Sequence, residues 1–170
     1  MPESLRSRLT RWGFNWFPAY RATGARITFI AGDWGEVRIR LPLGWRTRNY
    51  VGALFGGSMY GAIDPIYMIM LIKLLGSAYE VWDKTATIRF LRPGRSTLYA
   101  TFKVDAATLE EIRDAVVREG RTQHRFTIDL ADAAGEVHAS CEKVLSVRAR
   151  SSTSSSHRDR PGGAPSQTLR

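Results

Sequence analysis

The sequence predicts an α+β domain in which a six-stranded antiparallel sheet curls round one long apolar helix. Three observations predict it. Between Val51 and Ile72 the only ionisable side chain is Asp64, and a helix that is apolar on all sides is a buried helix. The segments on either side alternate apolar and polar residues, the period of half-buried antiparallel strands. Taken in order, the elements read helix, two strands, long helix, two strands, short helix, two strands.

Residues 4–17 place Leu5, Leu9, Trp12 and Trp16 at helical spacing, with Arg6, Arg8 and Arg11 elsewhere. The favoured reading is an N-terminal helix that packs this aromatic stripe on the domain. A basic amphipathic helix touching a membrane is the alternative, and Gly13 and Pro18, which keep the helix short, weigh against it. Trp12, Phe14, Trp16 and Phe17 are also candidates for the mouth of a ligand tunnel. Strands follow at 26–30 and 35–41, where Val37, Ile39 and Leu41 alternate with charged residues. Pro42 and Gly44 end the pair.

The central stretch, Asn49 to Leu75, is long enough to span a bilayer. Asp64 and Pro65 in mid-run, and Gly56, Gly57 and Gly61 in its first half, favour a core helix instead. Pro65 is expected to disturb the helix and free the carbonyl of Gly61. Strands at about 78–91 and 96–105 are split by the turn Arg92-Pro93-Gly94-Arg95. Thr108-Leu109-Glu110-Glu111 reads as a capping box for a short peripheral helix that Gly120 ends. The last strands lie at about 122–131 and 136–148. Val144 is out of phase with Val137, Ala139 and Cys141, which predicts a bulge near Glu142. His124 and His138 read as ordinary strand residues. Such a sheet leaves an open edge, so pairing with a second copy is expected.

A chain of 170 residues is one domain with a real core. Residues 1–148 form it. Residues 149–170, rich in Ser, Gly, Pro and Arg, lack the apolar residues to pack and are expected to be disordered. One cysteine, Cys141, excludes an internal disulfide and a cysteine metal cluster. The basic N-terminus has no apolar run after it, so no signal peptide is read and cytoplasm is the expected location. The net charge is +9. It lies half on the margins and accompanies no nucleic-acid reading motif, so a phosphorylated small ligand suits it as well.

The stretch Asn49-x-x-Gly52-x-x-Phe55-Gly56-Gly57, with Asp64 seven residues beyond, resembles the hotdog-fold acyl-CoA thioesterases of the phenylacetate-degradation type. More closely, the chain resembles the DUF4442 branch of that superfamily, over roughly residues 5–148. Trp82-Asp83-Lys84 and Ile88-Arg89-Phe90-Leu91-Arg92-Pro93 belong to the resemblance. It implies a homodimer, or two such dimers as a tetramer, that hydrolyses a medium- or long-chain acyl-CoA or acyl-carrier-protein thioester without metal or redox cofactor.

The resemblance also implies roles. The Gly-Gly turn would open the helix and aim amides of Gly56 and Gly57 at the thioester carbonyl. Free amides at a helix N-terminus carry partial positive charge and would stabilise an oxyanion. Asp64 matches the catalytic carboxylate, acting on a thioester held by the other subunit as base or nucleophile. Asn49 matches a residue that holds the carbonyl or the attacking water. Asp83 falls where relatives orient water, although Asp83–Lys84 as a structural ion pair reads equally well. Tyr60 and Tyr67 share the Asp64 stripe. Phe55 stands where better-known relatives carry histidine, which makes the acyl pocket more apolar. Arg46, Arg48, Arg92 and Arg95 are the candidates for the phosphates of coenzyme A. The alternative is a catalytically silent fatty-acyl-CoA or lipid-binding protein using the same tunnel.

Overall fold

The computed structural model describes residues 1–150; the tail whose disorder the composition predicts lies, from residue 151 on, outside the described residues. Helices α1 (Leu5–Trp16) and α2 (Pro18–Ala22) precede strands β1 (Arg26–Ile30) and β2 (Glu36–Leu41). Helices α3 (Gly56–Ile63) and α4 (Ile66–Leu75) follow, then β3 (Tyr79–Phe90), β4 (Leu98–Lys103), α5 (Ala106–Glu119), β5 (Arg121–Ala131) and β6 (Val137–Ala149). The six strands form one antiparallel sheet in the order β1-β2-β4-β5-β6-β3. Each strand lies where alternation predicts it, within about two residues.

The long central helix is two helices. Pro65 has no N–H to donate and its ring crowds the preceding turn, so the helix breaks at Asp64–Pro65. The loose carbonyls at the break find other donors. The Tyr20 hydroxyl, from α2, donates to Ala62 O at 3.1 Å. The Lys143 ammonium, from β6, donates to Asp64 O. Gly56–Leu75 has the length and hydropathy of a membrane span, but Ile63, Ile66, Met70 and Leu71 are buried in the core with strand residues such as Ile39, Phe102 and Leu145.

The sheet is tight at β3–β6–β5 and β1–β2–β4, and open between. Strands β4 and β5 pair only at Tyr99 and Ala131. Tyr67 of α4 fills the gap, stacked on Phe126 of β5 at 4.2 Å and edge-on to Phe102 of β4 at 5.0 Å. Helix α5 adds Leu109, Ile112 and Val116 to the same core.

Three local expectations are corrected. The cap of α5 is Asp105, whose Oδ1 accepts from Thr108 N at 2.8 Å, so the helix begins before the predicted box and runs through Ala106 and Ala107. The bulge is not at Glu142. It lies in β3, where the register on β6 steps from Asp83↔Leu145 to Thr85↔Val144 and leaves Lys84 over. Val144 is out of phase because Lys143 is in phase: Ala139, Cys141, Lys143, Leu145 and Val147 all point inward. Lastly, α1 does not lay its stripe on the domain. Leu5, Leu9, Trp12 and Trp16 are all exposed.

Asp105→Ala should lower unfolding stability in urea by about 1 kcal/mol, the worth of an N-cap side chain. If Thr108 were the cap, Thr108→Ala would cost that much and Asp105→Ala would cost little.

Candidate active site

The helix break carries the site. Asp64 sits at the C-terminal end of α3, its side chain 41% exposed. Lys143 reaches it from β6 with no exposed surface, its Nζ 3.0 Å from Asp64 Oδ1 and 3.0 Å from Asp83 Oδ1. The contact with Asp64 is a hydrogen bond. The one with Asp83 lacks hydrogen-bond geometry, so it is a charge contact. A buried ammonium is costly unless it is paired and hydrogen-bonded. Here two carboxylates and a backbone carbonyl supply that, and on the sheet Lys143 is in register with Phe126 and Ala86 of the neighbouring strands.

The bulge at Lys84 makes this geometry. It keeps Asp83 on the inward face opposite Leu145, one step from Lys143, and re-phases the strand so that Ala86 and Ile88 also face in. The expected pair Asp83–Lys84 is therefore replaced by Asp83–Lys143. Burial raises the pKa of Asp83 above the ordinary carboxylate value, opposed by Lys143 and reinforced by the charge of Asp64. Tyr60 stands one turn before Asp64. Burial, then the hydrogen bond and charge of Asp64, push its hydroxyl well above the usual tyrosine range.

The second part of the site is the start of α3. No side chain caps this end, so the first-turn amides at Gly56, Gly57 and Ser58 have no partner within the helix. The two glycines leave room for aromatic rings. A Cβ on Gly56 would stand 2.9 Å from Phe90 Cζ, and one on Gly57 would stand 2.4 Å from Phe55 Cε1. A groove of about 420 Å³ runs past Gly56, lined by Asn49, Met59, Phe90, Arg92 and Gly94 among others. Asn49 shapes the loop before the helix. Its Oδ1 accepts from the amides of Val51 and Ala53, and its Nδ2 donates to Leu54 O.

The remaining candidates divide. Tyr67 is buried between Phe102 and Phe126 and belongs to the core; burial pushes its hydroxyl up to about 12. Arg92 lines the groove, paired with Glu136 at 3.0 Å. Arg46 lies over Trp45 and lines a separate cleft with Arg21, Arg26 and Arg40. Arg48 and Arg95 are exposed. Asp132, Glu136 and His138 offer three donors within 4.8 Å of one another, the described residues that could hold a metal. Each is already used: Asp132 accepts from Ala134 N and Glu136 N, Glu136 pairs with Arg92, and His138 Nδ1 lies 3.1 Å from Pro93 O.

Lys143 is the residue that sequence reasoning missed. The signal was the strict alternation of β6, in which Lys143 falls on the buried face.

Gly56 and Asp64 are eight positions apart, roughly 12 Å along a helix at 1.5 Å per residue. A single thioester carbonyl cannot touch both in one chain. A six-stranded antiparallel sheet curled against a central helix that breaks at Asp64–Pro65 is the hotdog fold. The chain belongs to the DUF4442 family, a domain of unknown function, whose pattern matches residues 6–147.

Solved structures share the fold at low identity. One is a protein of unknown function from Pseudomonas aeruginosa, described as a probable thioesterase. It is 21% identical over 88% of this chain and 99% of its own, with a TM-score of 0.75. A protein of unknown function from Chlorobaculum tepidum is 16% identical over 85% of this chain and 95% of its own, with a TM-score of 0.67. A thioesterase from Haemophilus influenzae is 16% identical over 88% and 93%, with a TM-score of 0.62. No curated protein sequence matches the chain.

Lys143→Met should cost about 3 kcal/mol of unfolding stability, because it leaves two carboxylates facing each other and Asp64 O without its donor. Lys84→Met should move stability by less than about 0.5 kcal/mol, as expected for a surface change. The carboxyl of Asp83 has a raised pKa in the fold, so its contribution to stability is full at acid pH and is lost as pH rises through that raised value. Asp83→Asn does not titrate. Its stability relative to the parent should therefore improve from acid to neutral pH, measured by denaturant unfolding at each pH.

Proposed function

We propose that the protein hydrolyses an acyl thioester carried by coenzyme A or by an acyl carrier protein. The observation that carries the reading is Asp64, a half-exposed carboxylate held at the helix break by the buried Lys143. A catalytic base must be held in place, and the bond from the ammonium fixes Asp64 at the helix break. The thioesterase names among the structural neighbours support the reaction class.

In the proposed reaction Asp64 takes a proton from water. The hydroxide attacks the thioester carbon, and the oxyanion is held by the amides of Gly56 and Gly57. The C–S bond then breaks, and the thiolate leaves with the proton from Asp64, giving a carboxylic acid and a free thiol. Attack by Asp64 itself, through an anhydride that water then opens, gives the same products. The roughly 12 Å between Asp64 and Gly56 supports a site shared by two subunits, Asp64 of one facing Gly56 of the other. Strand β3 supports the same assembly, because among the described residues it pairs only with β6. Asn49 holds the loop that presents the helix start, Asp83 sets Lys143, and Phe55, Phe90 and Tyr60 line the acyl path. Arg46, Arg48, Arg92 and Arg95 are the proposed phosphate contacts. Medium or long acyl chains suit the apolar residues here.

The same ion contacts favour a second reading. Lys143 occupies Asp64 Oδ1 as well as Asp64 O, which also suits a structural carboxylate in a silent acyl-binding protein.

A panel of acyl-CoA thioesters of several chain lengths, followed by release of free thiol, tests both. Asp64→Asn should lose at least about 10²-fold in turnover while still binding a non-hydrolysable acyl-CoA. Gly56→Ala should lose binding as well as rate, because its methyl collides with Phe90. Parent protein that binds but releases no thiol leaves the silent binder. Equal turnover by parent and Asp64→Asn removes Asp64 from the chemistry.

A further inference from the structure

The outward face of α1 is an apolar stripe on a rigid mount. Leu5, Leu9, Trp12 and Trp16 are 76%, 73%, 65% and 56% exposed. Polar groups at both ends of the segment fix the helix to the free edge of β1 and the turn after it. Asn15 donates to Ile27 O and accepts from Ile27 N, Glu3 accepts from Ile30 N, and Gly32 N donates to Pro2 O. Ser4 and Ser7 close a capping box at its start. The stripe is therefore held outward by four bonds, from Pro2, Glu3 and Asn15, and no described residue covers it. A contiguous exposed apolar patch rimmed by polar residues marks a docking site.

The rim is basic. Arg6 and Arg8 are exposed and flank the stripe at helical angles on either side. Arg21 stacks over Trp16 at 4.9 Å. It also lines a cleft of about 220 Å³ with Arg26, Arg40 and Arg46, and no carboxylate lines that cleft among the described residues. Exposed Trp45 lines the same cleft, next to Arg46 in the chain. Glu3 is the one acidic residue of the segment, and it is bonded to Arg11. A second copy of this chain fits poorly, since a symmetric interface sets arginine against arginine.

We infer that this face docks on an anionic lipid surface. Helix α1 lies in the plane of the bilayer, Leu5, Leu9, Trp12 and Trp16 enter the headgroup boundary, and the arginines meet lipid phosphates. Tryptophan suits that depth, with an apolar ring and one N–H for the wet side. The inference rests on α1 and its surroundings and is independent of the chemistry at Asp64.

The test is sedimentation of the full chain with vesicles of phosphatidylcholine alone or of an equal mixture with phosphatidylglycerol. Binding to the mixed vesicles, weakened by salt and near absent on phosphatidylcholine, is expected. Leu9→Gln/Trp12→Gln and, separately, Arg6→Gln/Arg8→Gln should each weaken it roughly tenfold or more. All four side chains are exposed, so melting temperatures should hold. Equal binding to both vesicle types, no binding to either, or unchanged binding by both variants overturns the inference. So does a fall in solution mass of Leu9→Gln/Trp12→Gln by light scattering, which would show that a second copy covers the stripe.

Discussion

The contact on which the rest of this structure depends is that of the Lys143 ammonium with the broken helix. Pro65 makes a continuous helix impossible, and a break in the core leaves backbone carbonyls that water cannot reach. Lys143 bonds the carbonyl of Asp64 and its carboxylate together, so one side chain joins β6 to the start of α4. Tyr20 serves Ala62 in the same way from α2. A buried ion pair is weak evidence for stability by itself, since desolvation offsets most of the attraction. Its geometric effect is larger. It sets where the one carboxylate of the central stretch stands.

The two ends of α3 are thus prepared differently. At its start, Gly56 and Gly57 leave room for Phe90 and Phe55, and amides remain free beside an apolar groove. At its end, a carboxylate is pinned by an ammonium. Positive potential and negative charge lie at opposite ends of two helical turns, and no single carbonyl group bound to one chain meets both. The spacing is a property of the helix and does not depend on which reaction the site performs.

Most of the fold was legible because strands and helices bury different periods. Val37, Ile39 and Leu41 or Leu98, Ala100 and Phe102 report their faces directly. What stayed hidden has physical reasons. Lys143 was read past because lysine is expected outside, and the out-of-phase Val144 was then ascribed to a bulge in the wrong strand. The bulge at Lys84 has no glycine to mark it, and β3 is too exposed along its second half for alternation to register a shift. Asp64, Gly56 and Gly57 could be singled out because a lone charge and paired glycines stand out in an apolar run. The stripe of α1 was visible, but its direction was not. Periodicity says which side chains share a face, while Asn15 and Glu3, polar residues bonded to an unpaired strand edge, decide which way that face looks.

Those bonds have one more consequence. A sheet has two edges, and each is a template for another strand. Here the edge at β1 is occupied by the chain's own N-terminal segment, through Pro2, Glu3 and Asn15, while no described strand pairs with the outer side of β3. Strand-to-strand growth therefore has a single direction. If two copies paired at β3, the combined sheet would end in a closed edge on both sides, and the association would terminate as a finite particle instead of propagating as a fibre.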